Sequence, residues 1–257
     1  GGNLNVRKEG MKALLVEKFK KAESKLVLLD YDGTLVDYKP VPQDATPSKK
    51  LLASLLRLNG SPNTKLVIIT GRAYQDIDGF VGHLPIDIVA EHGAMIRENE
   101  EWKELAPGDT GWKESVLPVL NRITESCSGS FIEEKRYSLA WHYRNAEPEA
   151  GFKASRELIS LLSGTIQTHQ LKITDGNKVI EIKRGDIDKG RGTRYLLEKD
   201  QYDFILSIGD DKTDEDMFEV LANNPHAFTI KVGEGVSRAK YRLENVQDVI
   251  VLLNELL

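Results

Sequence analysis

A single cysteine, Cys127, is all the thiol chemistry that this 257-residue chain offers. It excludes an internal disulfide framework and suits a reducing compartment, although a secreted protein without disulfides has the same composition. Long apolar runs are missing too. The first 25 residues hold no signal-peptide core, and no stretch approaches the ~20 apolar residues that a bilayer-spanning helix needs. A cytoplasmic location and no membrane partner are expected. Nor is there an excess of positive charge: the formal net charge of −5 leaves no electrostatic footprint for nucleic acid. An anionic ligand must therefore be met by individually placed cations. Internal repeats and low-complexity tracts are absent as well. What remains is an ordinary globular balance, 40% hydrophobic and 29% charged, long enough for one large or two smaller domains.

Short apolar runs bounded by turn residues alternate with helical patterns. Residues 25–29, 65–69 and 86–90 read as strands, and 48–58, with Leu51, Leu52, Leu55, Leu56 and Leu58, has helical spacing. The rhythm returns near the C-terminus as a helix at 189–197, a strand at 204–208, a helix at 214–221, a strand at 227–232 and a final helix from Val246. Strand, helix, strand at this spacing predicts an α/β fold with a mostly parallel sheet. Between these parts the texture changes to a helix from about Trp112, alternating strands at 131–135 and 138–144, a helix at 149–162, and strands at 167–173 and 178–183. That pattern predicts a smaller inserted α+β lobe.

Parallel sheets bind ligands at the carboxyl ends of their strands. Four such places carry polar groups. In VLLDYDGTL a buried run ends in Asp30 and Asp32, followed by Gly33-Thr34. Carboxylates there are tolerable where a divalent cation faces them, and an aspartate is ionised at neutral pH without an activating base. A turn or cap cluster is the plainer alternative. In IITGR, Thr70 offers a hydroxyl and a backbone N–H to an anion, with Arg72 nearby, or simply caps a helix. Lys189 opens a helix, an end that favours acids, so its ammonium fits some other partner better. In SIGDDKTDED, Thr213 reads as a cap that accounts for Glu215 and Asp216, but not for Asp210 and Asp211 at the strand tip. Two adjacent acids there imply a cation, either a metal or a lysine such as Lys189.

Jointly, the DxDGT stretch at 30–34, Thr70, Lys189 and the GDDxxD run at 209–214 resemble the haloacid dehalogenase superfamily of phosphotransferases. Within it, LDYDGTL at 29–35, AEHG at 90–93, EEKRYSLAWHYR at 133–144, VIEI at 179–182 and IGDDKTDEDMF at 208–218 resemble the trehalose-6-phosphate phosphatases. The likeness covers nearly the whole chain after its first two dozen residues. It departs at Glu134, where that family more often has aspartate, and at Arg184, where a proline is common.

The resemblance implies a Rossmann-like, mostly parallel core at 1–111 and 184–257 and an inserted α+β cap of the C2 type at 112–183. It implies Asp30 as nucleophile, Asp32 as acid and base, and Thr70 and Lys189 on the phosphoryl oxygens. Mg2+ would be held by Asp30, the Asp32 carbonyl and Asp210, with Asp211 and Asp214 behind them. Tyr31, Gly71, Arg72, His92, Glu133, Lys135, Arg144 and Glu181 are the expected substrate contacts, although His92 can equally cap a turn. Under two-residue alternation Glu133 and Lys135 share a strand face, whereas Trp141 and Tyr143 read as core rather than as a sugar platform. The implied substrate is trehalose 6-phosphate, acted on by a monomer. Alternatives are a phosphatase for sucrose phosphate or mannosyl-phosphoglycerate, a phosphomannomutase-like enzyme, or a catalytically silent phosphosugar-binding regulatory module.

Overall fold

The computed structural model describes residues 2–257, with side chains from Asn5 onward. In chain order its strands are β1 (Lys25–Leu29), β2 (Thr64–Ile69), β3 (Asp87–Ala90), β4 (Met95–Glu98), β5 (Glu101–Glu104), β6 (Phe131–Glu134), β7 (Ser138–His142), β8 (Leu171–Asp175), β9 (Val179–Arg184), β10 (Phe204–Gly209), β11 (Ala227–Val232) and β12 (Tyr241–Leu243). The helices are α1 (Gly2–Lys21), α2 (Lys49–Asn59), α3 (Tyr74–Val81), α4 (Lys113–Ser126), α5 (Pro148–His169), α6 (Lys189–Lys199), α7 (Glu215–Leu221) and α8 (Val246–Glu255). Backbone contacts divide the chain into two compact units, the first formed by the segment ending at Leu105 together with Lys189–Leu257, the second by Ala106–Asp188.

Unit 1 is built on an eight-stranded sheet in the order β12-β11-β10-β1-β2-β3-β4-β5. From β12 to β3 every pairing is parallel; β3-β4 and β4-β5 are antiparallel. All of KLVLL in β1 is buried, as expected of a central parallel strand covered on both faces. Leu26, Leu28, Val67, Ile69 and Ile205 pack with Leu196, Met217 and Phe218 from α6 and α7. Each such fully buried aliphatic side chain contributes roughly 1.5–3 kcal/mol. Ser48 caps α2 by accepting from the Leu51 N–H, and Leu51, Leu55 and Leu58 line the buried stripe. The meander of β4 and β5 and the edge strand β12 are additions to the pattern read from the sequence.

Unit 2 is a four-stranded antiparallel sheet, β6-β7-β9-β8. The expected strand at 167–173 starts only at Leu171, as β8. Leu158 and Leu162 are buried and Ile166 packs on the same cluster, so helical spacing carries α5 on to His169. Gln170, at φ 54°, then turns the chain into β8. One sheet face packs Leu139, Trp141, Ile180 and Ile182 against α4 and α5, with Trp141 fully buried. Among the described residues no helix is long and apolar enough to cross a membrane.

Candidate active site

Register alone brings three tips together. Leu29 of β1 lies opposite Ile208 of β10 and Ile68 of β2. The residues just beyond, Asp30, Asp210 and Thr70, therefore emerge side by side at the carboxyl ends, where such sheets place ligands. The Asp30 N–H donates to the Ile208 carbonyl at 3.0 Å, tying the first tip to the second.

Lys189, the first residue of α6, is 2% exposed, and its ammonium donates to Asp30 Oδ1 at 2.9 Å and to Asp214 Oδ1 at 2.7 Å. The mismatch between a lysine and a helix start is thus resolved by two carboxylates. Asp30 Oδ2 accepts from the Thr34 hydroxyl at 3.1 Å. Asp214 Oδ2 accepts the backbone N–H groups of Asp210 at 2.9 Å and Asp211 at 3.0 Å, so it braces the loop. Asp211 caps the short turn that follows, in a reciprocal box with Asp214. Capping therefore falls to Asp211 rather than to Thr213.

Asp210 Oδ2 accepts from the Tyr38 hydroxyl at 2.6 Å, while Oδ1 is buried with no hydrogen-bond partner. Oxygens of Asp30, Asp210 and Asp214 all lie within 4.8 Å of one another. Three carboxylates around one ammonium leave negative charge in excess. Burial, reinforced by the Asp214 charge, lifts the Asp30 pKa well above the usual carboxylate range. Burial likewise pushes Asp210 up to about 6. Burial opposes the charge on Lys189, but Asp214 and Asp30 outweigh it and hold its pKa above the ordinary lysine value. A buried orphan oxygen among converging acids suits a hard divalent cation, and the residues present fit Mg2+.

The DGT turn permits this approach through Gly33, at φ +78°, where a Cβ would stand 2.1 Å from Asp210 Oδ2. Asp32 is held elsewhere: both its oxygens accept from Arg72, at 2.8 Å from Nε and 2.8 Å from Nη2. Arg72 also reaches Asp76 and the Pro42 carbonyl, and its guanidinium lies over Phe80 and Tyr31. Tyr31 itself is fully buried, stacks on Phe80 and donates to the Ala45 carbonyl at 2.6 Å. The Thr70 hydroxyl accepts the Arg72 N–H at 3.0 Å, which leaves its own O–H to donate. Gly71 faces His92, whose ring is 2.4 Å from where a Cβ would sit. Glu91 and His92, at φ 48° and 60°, are left-handed non-glycine residues, a strained arrangement common beside functional sites.

On the other face of the unit 2 sheet, Glu133 and Glu181 flank Ala140 in register. Lys135 donates to Glu181 at 2.5 Å, and Glu133 pairs with His142 at 2.8 Å. Arg144 stands apart, on the backbone and side chain of Asn177. Arg184 forks onto Asp186 and reaches the carbonyls of Ala106 and Pro107. Tyr38, Asp76, His142 and Lys231, which donates to the Asp210 carbonyl, join the two constellations without having been expected there. Only His142 carried a usable signal, its place two strand pairs from Glu133 on one face.

The family model for trehalose-phosphatase matches residues 28–247. The chain belongs to the trehalose-phosphatase family. That is a family of phosphoric monoester hydrolases. The chain is 39% identical over 251 residues to a bifunctional trehalose-6-phosphate synthase/phosphatase of Thermoproteus tenax, across 96% of this chain and 34% of that protein. It thus spans about a third of the length of the curated relatives it matches. The C-terminal domain of a trehalose-6-phosphate phosphatase from C. albicans superposes with a TM-score of 0.91 at 29% identity, covering 95% of this chain and 96% of that one. A haloacid dehalogenase-like hydrolase from B. subtilis shares the fold at 14% identity and TM-score 0.63, over 90% of this chain and 99% of that one. For a trehalose-phosphatase family member, the clustering of acids at β1 and β10 is the feature with chemical consequence.

Proposed function

We propose that this chain hydrolyses trehalose 6-phosphate to trehalose and phosphate, in a cytoplasmic setting, with Mg2+ and an aspartyl-phosphate on Asp30. The observation that carries this reading is the convergence of Asp30 and Asp210, from adjacent strand tips, with Lys189 at the start of α6. Family membership supports the substrate.

In the first half-reaction a carboxylate oxygen of Asp30 attacks phosphorus. The bond from phosphorus to the sugar oxygen breaks, and Asp32 gives that oxygen a proton. Lys189 and the Thr70 O–H hold the phosphoryl oxygens as charge shifts between them. In the second half, Asp32, now a carboxylate, takes a proton from the water that attacks the acyl-phosphate. Phosphate leaves and Asp30 is restored. Asp32 reaches the reacting oxygens by releasing at least one arm of its fork with Arg72. Mg2+, held by Asp30, Asp210 and the Asp32 carbonyl, supplies positive charge that offsets repulsion between carboxylate and phosphate. Asp211 and Asp214 keep the loop and Lys189 in place. Phosphate monoesters are among the slowest compounds to hydrolyse unaided, with enzymatic accelerations up to ~10²¹, so charge and positioning must act together.

Selection of the disaccharide falls to polar groups that match hydroxyls: Glu133, Lys135, Glu181 and Arg144, with Gly71, Arg72, His92 and Tyr31 contributing to the substrate's surroundings by direct or indirect contact. Phosphate release from trehalose 6-phosphate, sucrose phosphate, mannosyl-phosphoglycerate and glucose 6-phosphate, with Mg2+ and with chelator, tests the proposal. Fastest release from trehalose 6-phosphate, lost with chelator, is the expected result. Equal rates across the panel would remove the substrate assignment, and chelator-resistant turnover would remove the ion.

A further inference from the structure

We propose that Tyr38 is a positioning residue for the divalent-cation site, its hydroxyl holding one oxygen of Asp210 so that the other is presented to the ion. The inference rests on the Mg2+ reading above and assigns that site a part from outside every motif in the sequence.

Asp210 is fixed from three directions. Its N–H donates to Asp214, its carbonyl accepts from Lys231, and its carboxylate accepts from Tyr38. The first two fix the backbone; the side chain is held by the Tyr38 hydroxyl, beside its close approach to the Asp30 carboxylate. At 2.6 Å the contact has the length of a strong O–H···O⁻ bond. It consumes Oδ2 and leaves Oδ1 as the buried orphan. The ring is itself wedged: its Cε2 stands 2.5 Å from where a Gly33 Cβ would be, beside the same Oδ2. Tyr38 thus joins the nucleophile loop to a tip 172 residues away.

Carboxylates that ligate metals are commonly oriented by such partners, and losing one weakens affinity ~10–100-fold. Tyr38→Phe removes a single oxygen and keeps the ring. The experiment is calorimetric titration of chelator-stripped protein with Mg2+ alone, alongside melting curves with and without Mg2+. The expected result is a dissociation constant raised ~10-fold or more, with the metal-free melting temperature retained. The Mg2+ concentration giving half-maximal p-nitrophenyl phosphate hydrolysis should move by the same factor, and by more than kcat at saturating Mg2+ does. In an Asp210→Asn background, Tyr38→Phe should add no further loss of Mg2+ affinity. Unchanged Mg2+ affinity in folded Tyr38→Phe, or a loss confined to kcat, overturns the inference while the metal reading stands. A wild-type protein that binds no Mg2+ overturns both.

Discussion

Two regions of this molecule bury charge in different ways. In unit 1 the charged groups come from segments far apart in the chain, Asp30, Lys189, Asp210 and Asp214, and meet at one point. In unit 2, Glu133, Lys135, His142 and Glu181 lie on neighbouring strands, paired across one sheet face. The point site depends on backbone tips whose positions the sheet fixes, so a side chain there has one geometry and one task. The sheet face depends on alternation, and adjacent pairs can exchange partners with small movements. Losses at the tips should therefore be large and fall on the reaction step. On the face they should be smaller and fall on substrate choice.

The largest effect after loss of the nucleophile is expected from Lys189→Met. It strands two buried carboxylates, which should destabilise the fold by roughly 3–5 kcal/mol and lower kcat by ~10²–10³; thermal melting and steady-state rates measure both. A fully active, equally stable variant would erase the contrast between the regions. Arg72→Lys comes next. Lysine keeps the charge but not the fork, so Asp32 loses its fixed geometry and kcat should fall by ~10², with Mg2+ affinity unchanged. A change in KM alone would instead mark Arg72 as a substrate contact.

Glu181→Gln should act on the other side of the contrast. Losing a charged hydrogen-bonding group should raise KM for trehalose 6-phosphate roughly 10-fold, with hydrolysis of p-nitrophenyl phosphate little changed. Equal losses on both substrates would move Glu181 into the reaction chemistry. The smallest effect concerns pH. Burial works against the Glu133 charge, but the His142 hydrogen bond and the Lys135 charge prevail and set its pKa below the ordinary 4.5. An acid depressed in the fold adds stability that is present above 4.5 and disappears as pH falls through its folded pKa. Wild type should therefore lose melting temperature on acidification below that value faster than Glu133→Gln does. Parallel curves would show that the pair does not contribute.

The tips were legible because their signals are local and mutually confirming. An apolar strand run that stops at DYDG, another at GDD and a third at TGR each mark a carboxyl end, and parallel register does the rest. Lys189 was legible from a misfit with its own helix. What stayed hidden was partnership. Nothing around Tyr38, in an irregular segment after the DGT turn, distinguishes an oriented phenol from a loop aromatic, and nothing in TGR says that the arginine grips Asp32. The boundary between α5 and β8 is hard to read because the alternation of Leu171 and Ile173, which does form β8, follows directly on the last turn of the helix. In β6 and β7 alternation did separate Glu133 and Lys135 from Trp141, since there the period of two decides the face. Arg144 lies beyond the end of β7, where that period no longer governs, and it sits with Asn177 instead.

The central claim is that Asp30 accepts the phosphoryl group. Rapid acid quenching of Asp32→Asn with 32P-labelled trehalose 6-phosphate and Mg2+, followed by peptide mapping, tests it directly, because in the proposed mechanism Asp32 activates the water that resolves the intermediate. A hydroxylamine-labile label on the peptide that carries Asp30 is the result this account predicts. Turnover with no covalent label, or a label on another peptide, would contradict it.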